Sequence, residues 1–118
     1  MANQSSSGPK PRNAAERRAA RWYRRRGYRV LDTNAWIAGN EFDVVASRGT
    51  TLVFCEVKSK SGADFGDPLE MVTEEKVRRV RRAAEAWLAT RPRYARFEVR
   101  FDVIVERGDR LECVRAAF

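Results

Sequence analysis

The chain has 118 residues and is 43% hydrophobic, which is enough for one small domain whose core is stable without disulfides. It carries a net charge of +8, no histidine and two cysteines. These counts exclude zinc fingers and the Ser-His-Asp and Cys-His nucleophile systems. Any catalysis must use carboxylates, lysine, hydroxyls or a metal held by oxygen ligands.

The excess positive charge lies in residues 1–30, which carry nine basic side chains and one acidic one. This cluster suits a phosphate backbone or another anionic surface. Residues 1–12 are polar and rich in Ser and Pro, so we expect a disordered tail followed by a single domain at 13–118. The unpaired cysteines and the lack of a signal peptide or long apolar segment predict a cytoplasmic protein without membrane contact.

The first predicted helix covers about residues 14–26, with Asn13 as a candidate N-cap and Gly27 as the stop. Arginines cover the helix face opposite an apolar stripe of Ala15, Ala19, Trp22 and Tyr23. Residues 28–34 then predict a short strand. The polar stretch "TNAWIAGN" that follows is expected to be a loop, and the sequence suggests no role for its Trp36.

A hairpin is predicted between residues 40 and 60, with its turn at "RGTT". An even-length turn pairs Val45 with Phe54, and it places Asp43 opposite Glu56. The same register places Glu41 opposite Lys58. The other face is apolar and is predicted to be the core side, with Phe42, Val44, Ala46, Val53, Cys55 and Val57.

Two carboxylates about 5 Å apart would repel each other by roughly 3 kcal/mol at an effective dielectric near 20. A divalent cation held between Asp43 and Glu56 would reverse that repulsion, and oxygen ligands suit Mg2+ or Mn2+. Lys58 would then face the same spot. The alternative is a solvated charged face with a Glu41–Lys58 ion pair, and a bulged turn would separate the two acids. The hairpin pattern alone leaves both open.

The rest of the chain predicts a second helix from Thr73 to just before Pro92, and then strands at 96–106 and 110–116. "SGADFGDP", at residues 61–68, is expected to be a loop. The order α-β-β-β-α-β-β contains a strand-helix-strand crossover, so we expect an α/β fold with a mixed sheet. Asp102 is predicted to be a surface or hydrogen-bonded residue.

The pattern "FD", twelve intervening residues and "EVK" resembles the signature of the PD-(D/E)xK nuclease superfamily, which has the restriction-endonuclease-like fold. More closely, the chain resembles the YraN-like family of small bacterial proteins, which is similar to archaeal Holliday junction resolvases. The similar segments lie in order: "RGYRVLDTN", "EFDVVA", "LVFCEVKSK" and "RFDVIV".

The resemblance implies that Asp43 and Glu56 bind a metal ion, with the Val57 carbonyl as a third ligand. It also implies that Lys58 is catalytic and that Glu16 joins the site from the first helix. From its position alone, capping the helix start is the better default interpretation of Glu16, and the resemblance raises the site role to an equal alternative. The candidate nucleic-acid contacts are Arg17, Arg21, Arg24, Arg25, Lys60 and Lys76.

The leading hypothesis is a metal-dependent endonuclease that uses Mg2+ or Mn2+ on structured or branched DNA. A homodimer is a secondary expectation, because cutting two strands needs two copies of so small an enzyme. The alternative is a non-catalytic nucleic-acid-binding module with a nuclease-like fold in a larger assembly. A third hypothesis gives the arginine face an anionic membrane or a protein as its partner.

Overall fold

The computed structural model describes residues 14–60 and 73–118, apart from the side chains of Ser59 and Lys60. The elements within these residues confirm the predicted α/β class and order. They are α1 (Ala14–Arg25), β1 (Arg29–Ile37), β2 (Asn40–Arg48), β3 (Thr51–Lys60), α2 (Glu74–Ala89), a 3-10 turn (Pro92–Tyr94), β4 (Glu98–Arg107) and β5 (Arg110–Val114). The expected tail, the Asn13 cap and the loop at 61–68 lie outside the described residues.

The strands form a mixed sheet in the order β1-β2-β3-β4-β5. β3 and β4 run parallel, and the other neighbouring strands are antiparallel. A parallel pair needs a crossover connection, and α2 lies on it. Between β2 and β3, Val45 pairs with Phe54 across a two-residue turn, which confirms the predicted register. Gly49 occupies that turn at φ 59°, a conformation that glycine adopts readily.

Both faces of the sheet are covered, so the prediction of a single core face was wrong. α1 packs on one face and α2 on the other, and strands between two layers of helices carry apolar side chains on both sides. The α1 side buries Ala19, Ala20, Tyr23, Tyr28, Val30, Val44, Ala46, Val53, Cys55 and Ile104. The α2 side buries Ala35, Phe42, Val45, Leu52, Phe54, Val80, Ala83, Ala84, Trp87 and Phe101.

The regular alternation of β2 breaks at Asp43. Strict alternation would place Phe42 and Val44 on the same face, but Phe42 packs on the α2 side and Val44 on the α1 side. In the described hairpin, the Cα pairing of β2 with β3 ends at Val44 and Cys55. The predicted direct pairing of Asp43 with Glu56 is therefore corrected. Asp43 instead accepts a hydrogen bond through Oδ2 from the Val57 backbone N–H, at 2.7 Å.

The predicted loop around Trp36 is a strand. β1 continues through Trp36 to Ile37, and Trp36 pairs with Glu41 of β2. A two-residue turn joins the strands, with Ala38 at φ 51° and Gly39 at φ 81°. Two successive positive φ angles match the twist of an antiparallel hairpin, but alanine seldom adopts one. The sequence therefore did not indicate this turn.

Asp102 of β4 is fully buried and hydrogen-bonded, which is the second of the two predicted alternatives. The Tyr23 hydroxyl donates to it at 2.8 Å, and Arg100 binds both of its oxygens at 2.9 and 3.0 Å. The Ala116 N–H donates at 3.1 Å. Burial raises the pKa of the Tyr23 phenol, so the hydroxyl keeps its proton. The network joins α1 to β4.

The predicted helix boundaries are confirmed at α2 and at the end of α1. The Thr73 hydroxyl caps α2 by accepting from the Lys76 backbone N–H at 3.1 Å. Gly27 follows α1 at φ 87° and allows the chain to turn into β1. None of the helices in the described part of the chain combines the length and apolar composition needed to cross a bilayer.

Candidate metal and nucleic-acid site

An open cleft of about 320 Å³ lies where the β1–β2 turn, the middle of β3 and the first turns of α2 meet. Asp43, Glu56 and Lys58, the residues whose pattern resembles the nuclease signature, all line it. The hairpin register and the crossover helix together bring acidic and basic side chains to this one place. The charged residues lining the cleft are Glu41, Asp43, Glu56, Lys58, Lys76 and Arg79.

Three carboxylates from two elements meet beside the cleft. Glu16 comes from the first turn of α1, and Glu41 and Asp43 come from the start of β2. One oxygen from each of the three lies within 4.8 Å of the others. Glu16 is only 4% exposed, so α1 holds its carboxylate against the sheet. The helix-capping role considered for Glu16 would involve Asn13, which lies outside the described residues.

The carboxyl group of Asp43 has a pKa raised from 3.8 to about 7. Burial is the largest cause, and the Val57 hydrogen bond opposes it by stabilising the charged form. A hydrogen bond with Glu16 and the negative charges of Glu16 and Glu41 raise the pKa further. Asp43 therefore needs a nearby positive charge in order to ionise fully at neutral pH.

Glu56 lies outside this group of three carboxylates and is paired with a residue of α2. Its Oε2 lies 2.8 Å from Lys76 Nζ, and both side chains are largely buried. Its Oε1 is also buried and has no hydrogen-bond partner among the described residues. A buried carboxylate oxygen without a partner is rare in native structures and indicates a missing ligand or water.

The donor set fits a hard divalent cation. Carboxylate oxygens are the ligands that Mg2+ and Mn2+ prefer, and a cation reverses the repulsion among clustered acids. The raised pKa of Asp43 and the unpartnered Oε1 of Glu56 are both features that such an ion would relieve. Glu16, which was predicted to join the site, and Glu41 thus lie close enough to Asp43 to share an ion, and Glu56 lies outside that group.

Glu41 is the acid that the sequence reasoning missed, because it was assigned to an ion pair with Lys58. A signal was present in the sequence. Side chains two residues apart on a strand point to the same face, so the spacing of Glu41 and Asp43 alone places their carboxylates on one face of β2. The structure places Lys58 in the same cleft as both.

The predicted nucleic-acid contacts fall in two places. Lys76 lies in the cleft and is held by Glu56, whereas the side chain of Lys60 lies outside the described residues. The remaining candidates are exposed on α1; they are Arg17, Arg21, Arg24 and Arg25. The neighbouring Arg18 forms an ion pair with Glu106 of β4.

A second cleft of about 320 Å³ lies between α1 and the β4–β5 hairpin, where Asp109 and Leu111 line it beside residues of α1. Arg18, Arg21, Arg25 and Arg26 line it together with the half-buried Trp22. The Arg26 guanidinium lies 3.8 Å from the centroid of the Trp22 ring. Guanidinium groups in such numbers attract phosphate groups, so the α1 face remains the predicted backbone contact.

Comparison with known proteins places the chain in a family. The family described as "Uncharacterised protein family UPF0102" matches residues 15–105. A UPF0102 protein of Beutenbergia cavernae is 47% identical over 89 residues, covering 75% of each chain. One from Acidothermus cellulolyticus is 39% identical over 117 residues (87% of this chain, 89% of the relative), and one from Acidiphilium cryptum is 40% identical over 104 (88% and 80%). The chain therefore belongs to the UPF0102 family.

Proposed function

We propose that the protein is a metal-dependent endonuclease acting on structured or branched DNA. The observation that carries this proposal is the gathering of carboxylates from α1, β2 and β3 around one cleft that also contains Lys58. The resemblance of Asp43, Glu56 and Lys58 to the nuclease signature supports the same conclusion. Phosphodiester hydrolysis needs charge stabilisation and an activated water, and these residue types can supply both.

The acids would share the work of holding Mg2+ or Mn2+. Asp43 accepts a hydrogen bond from the Val57 N–H, which fixes the direction of its carboxyl group for an ion. Glu16 and Glu41 lie close enough to Asp43 to share that ion, and Glu56 would contribute its unpartnered Oε1. When bound, the ion supplies positive charge to the reacting phosphate and eases ionisation of a water.

Lys58 would stabilise the negative charge that develops on the phosphate, or orient the attacking water. It follows Glu56 by two residues on the same strand, so both side chains leave the sheet on one face. Both line the cleft. A lysine ammonium provides a compact charge with several donors, which suits this role.

The arginine face of α1 would hold the DNA backbone. Arg17, Arg21, Arg24 and Arg25 are exposed on the helix that also positions Glu16 at the cleft. Backbone contacts of this kind are independent of sequence and weaken with salt. A homodimer, which would present two clefts to two strands, is part of the proposal and is tested by sedimentation at working concentrations.

The proposal is tested with purified protein, Mg2+ or Mn2+, a synthetic four-way junction and a supercoiled plasmid. Wild type should nick branched DNA, whereas Asp43→Ala and Lys58→Ala should bind it comparably and cut nothing. Arg96→Gln, which changes an exposed residue between α2 and β4, is the control and should cut normally. Binding without cutting by wild type, with both ions and every DNA and RNA form, would reject the nuclease.

A second candidate is a nucleic-acid-binding module without hydrolytic activity, acting in a larger assembly. One observation favours it: Lys76 forms a largely buried ion pair with Glu56. A carboxylate that is satisfied by a lysine has less need of a cation. The same nicking assay separates the two candidates, because only the nuclease depends on Asp43, Lys58 and a divalent ion.

A further inference from the structure

Trp36 is exposed in a way that packing does not explain. Its side chain is 66% exposed, and it is the single large hydrophobic residue of that kind within residues 14–60 and 73–118. Tryptophan is usually largely buried, so an exposed indole held at a defined position indicates a site where another molecule binds. Trp36 also lines the charged cleft, next to the residues proposed for hydrolysis.

The backbone holds this side chain in a defined position. Trp36 pairs with Glu41, and Ile37 pairs with Asn40 at the tight turn of the β1–β2 hairpin. Asn40 is buried, and its Oδ1 accepts a hydrogen bond from Arg79 Nε at 3.3 Å, which ties the turn to α2. The indole therefore projects from a hairpin that is fixed by the pairing of β1 with β2 and by the hydrogen bond from α2 to its turn.

The surroundings of Trp36 match a nucleotide better than a protein or a lipid. Protein- and membrane-docking surfaces present contiguous apolar patches, but the other residues named in this cleft are mostly charged or polar. A nucleotide combines a flat aromatic base with a negative phosphate. The indole offers a stacking surface, and Lys58 and Arg79 offer positive charge in the same cleft.

We infer that Trp36 stacks on an unpaired base and so directs the cleft to DNA that contains unpaired or unstacked nucleotides. In an intact duplex, both faces of a base are covered by its neighbours, so an indole at the cleft has no base to stack on. Strand ends, flaps and junction centres leave such faces open. This inference rests on the proposed function, and it makes Trp36 a determinant of substrate structure.

The experiment measures binding in metal-free buffer, so it does not depend on hydrolysis. Wild type, Trp36→Ala, Trp36→Phe and the control Arg96→Gln are titrated with oligothymidylate and with a blunt duplex of equal length, and tryptophan fluorescence and Kd are recorded. Trp36→Ala should weaken single-strand binding by about 5- to 100-fold, the range expected for loss of one stacked base. Its duplex Kd should stay within about two-fold of wild type.

Trp36→Phe identifies the source of the signal. The single strand should quench wild type and Arg96→Gln alike, whereas Trp36→Phe should lose the part of the quenching that comes from Trp36 and retain most of the affinity. Equal single-strand affinity in wild type and Trp36→Ala would overturn the inference. So would equal losses for single strand and duplex, the same quenching in wild type and Trp36→Phe, or no binding at all.

Hydrolysis gives a separate result. If the single strand stacks on Trp36 and no substrate is ever cut, the nuclease proposal fails and this inference stands. The opposite outcome is that wild type cuts branched DNA with Mg2+ while Trp36→Ala shows the same ratio of branched-DNA cutting to duplex cutting as wild type. In that case the inference fails and the nuclease proposal stands.

Discussion

The ammonium nitrogen of Lys76 lies 2.8 Å from Glu56 Oε2, and this contact joins the first turn of α2 to β3 inside the cleft. The lysine supplies the positive charge that this carboxylate needs when no metal ion is bound. If the cleft binds a divalent cation as proposed, Lys76 and that ion should compete for the same acid, and this competition can be measured.

Replacing Lys76 by Met should lower stability and strengthen the response to metal. The variant leaves Glu56 buried without its partner, which should reduce the free energy of unfolding by about 2 kcal/mol in metal-free buffer. Mn2+ should then raise the Tm of Lys76→Met more than that of wild type. Lys76→Arg keeps the positive charge and is the matched control. An unchanged Tm shift in Lys76→Met would show that Lys76 and the ion do not compete.

The Asp43 pKa of about 7 predicts a pH-dependent stability. The unfolded chain releases this proton near 3.8 and the folded chain near 7, so the folded state binds more protons between these values. The contribution of Asp43 is thus fully present below the lower value, falls as pH rises through this window, and stays low above it. Asp43→Asn removes the titration, so its stability relative to wild type should increase between about pH 4 and pH 8.

The size of this difference should be about 1–2 kcal/mol, because partial exposure of the carboxyl group screens the effect. Urea unfolding of both proteins at the two pH values measures it. Glu85→Gln changes an exposed acid on α2 and serves as the control, with little expected dependence on pH. A difference that is constant with pH, or that decreases, would contradict the pKa derived for Asp43.

Local patterns in the sequence predicted most of the fold, because they depend on neighbouring residues. The Gly49 turn sets the β2–β3 register, Thr73 caps α2, and the crossover around α2 makes β3 and β4 parallel. The candidate site was less predictable. The Val57 N–H donates a hydrogen bond to the Asp43 carboxylate where the regular pairing of β2 with β3 ends. No local pattern encodes this contact, because the two residues are fourteen positions apart.

Long-range contacts and an uncommon turn residue also explain why the local sequence did not indicate the positions of Asp102 and Trp36. Asp102 has the spacing of an outward-facing strand residue, but Tyr23 and Arg100 satisfy its charge inside the fold. The position of Trp36 was misread because Ala38 stands in a turn where Gly, Asn or Asp would be typical. In both cases the deciding interaction joins elements that are distant in sequence or uses an uncommon residue.

Asp102→Asn should be strongly destabilising. The change leaves the largely buried Arg100 guanidinium without its negative partner, so the free energy of unfolding should fall by about 3 kcal/mol. Chemical denaturation measures the loss. The control is Glu112→Gln, which breaks the exposed pair with Arg107 and should cost at most about 1 kcal/mol. Equal effects of the two changes would mean that the buried network does not stabilise the fold.

Arg21→Gln should weaken DNA binding without regard to sequence. If Arg21 contacts one phosphate, its loss should reduce the slope of log K against log salt concentration by about 1. Fluorescence anisotropy at several salt concentrations gives the slope for wild type and variant. Arg96→Gln, on a different exposed part of the chain, should leave the slope unchanged. The same slope for wild type and Arg21→Gln would remove this residue from the interface.

The claim that the cleft acids hold a divalent cation is tested most directly by calorimetric titration of Mn2+, which requires no choice of substrate. Wild type should bind the ion, Asp43→Ala and Glu56→Ala should bind it far more weakly, and Lys76→Met should bind it more tightly. No binding heat from wild type, or the same affinity in wild type and both alanine variants, would contradict the claim.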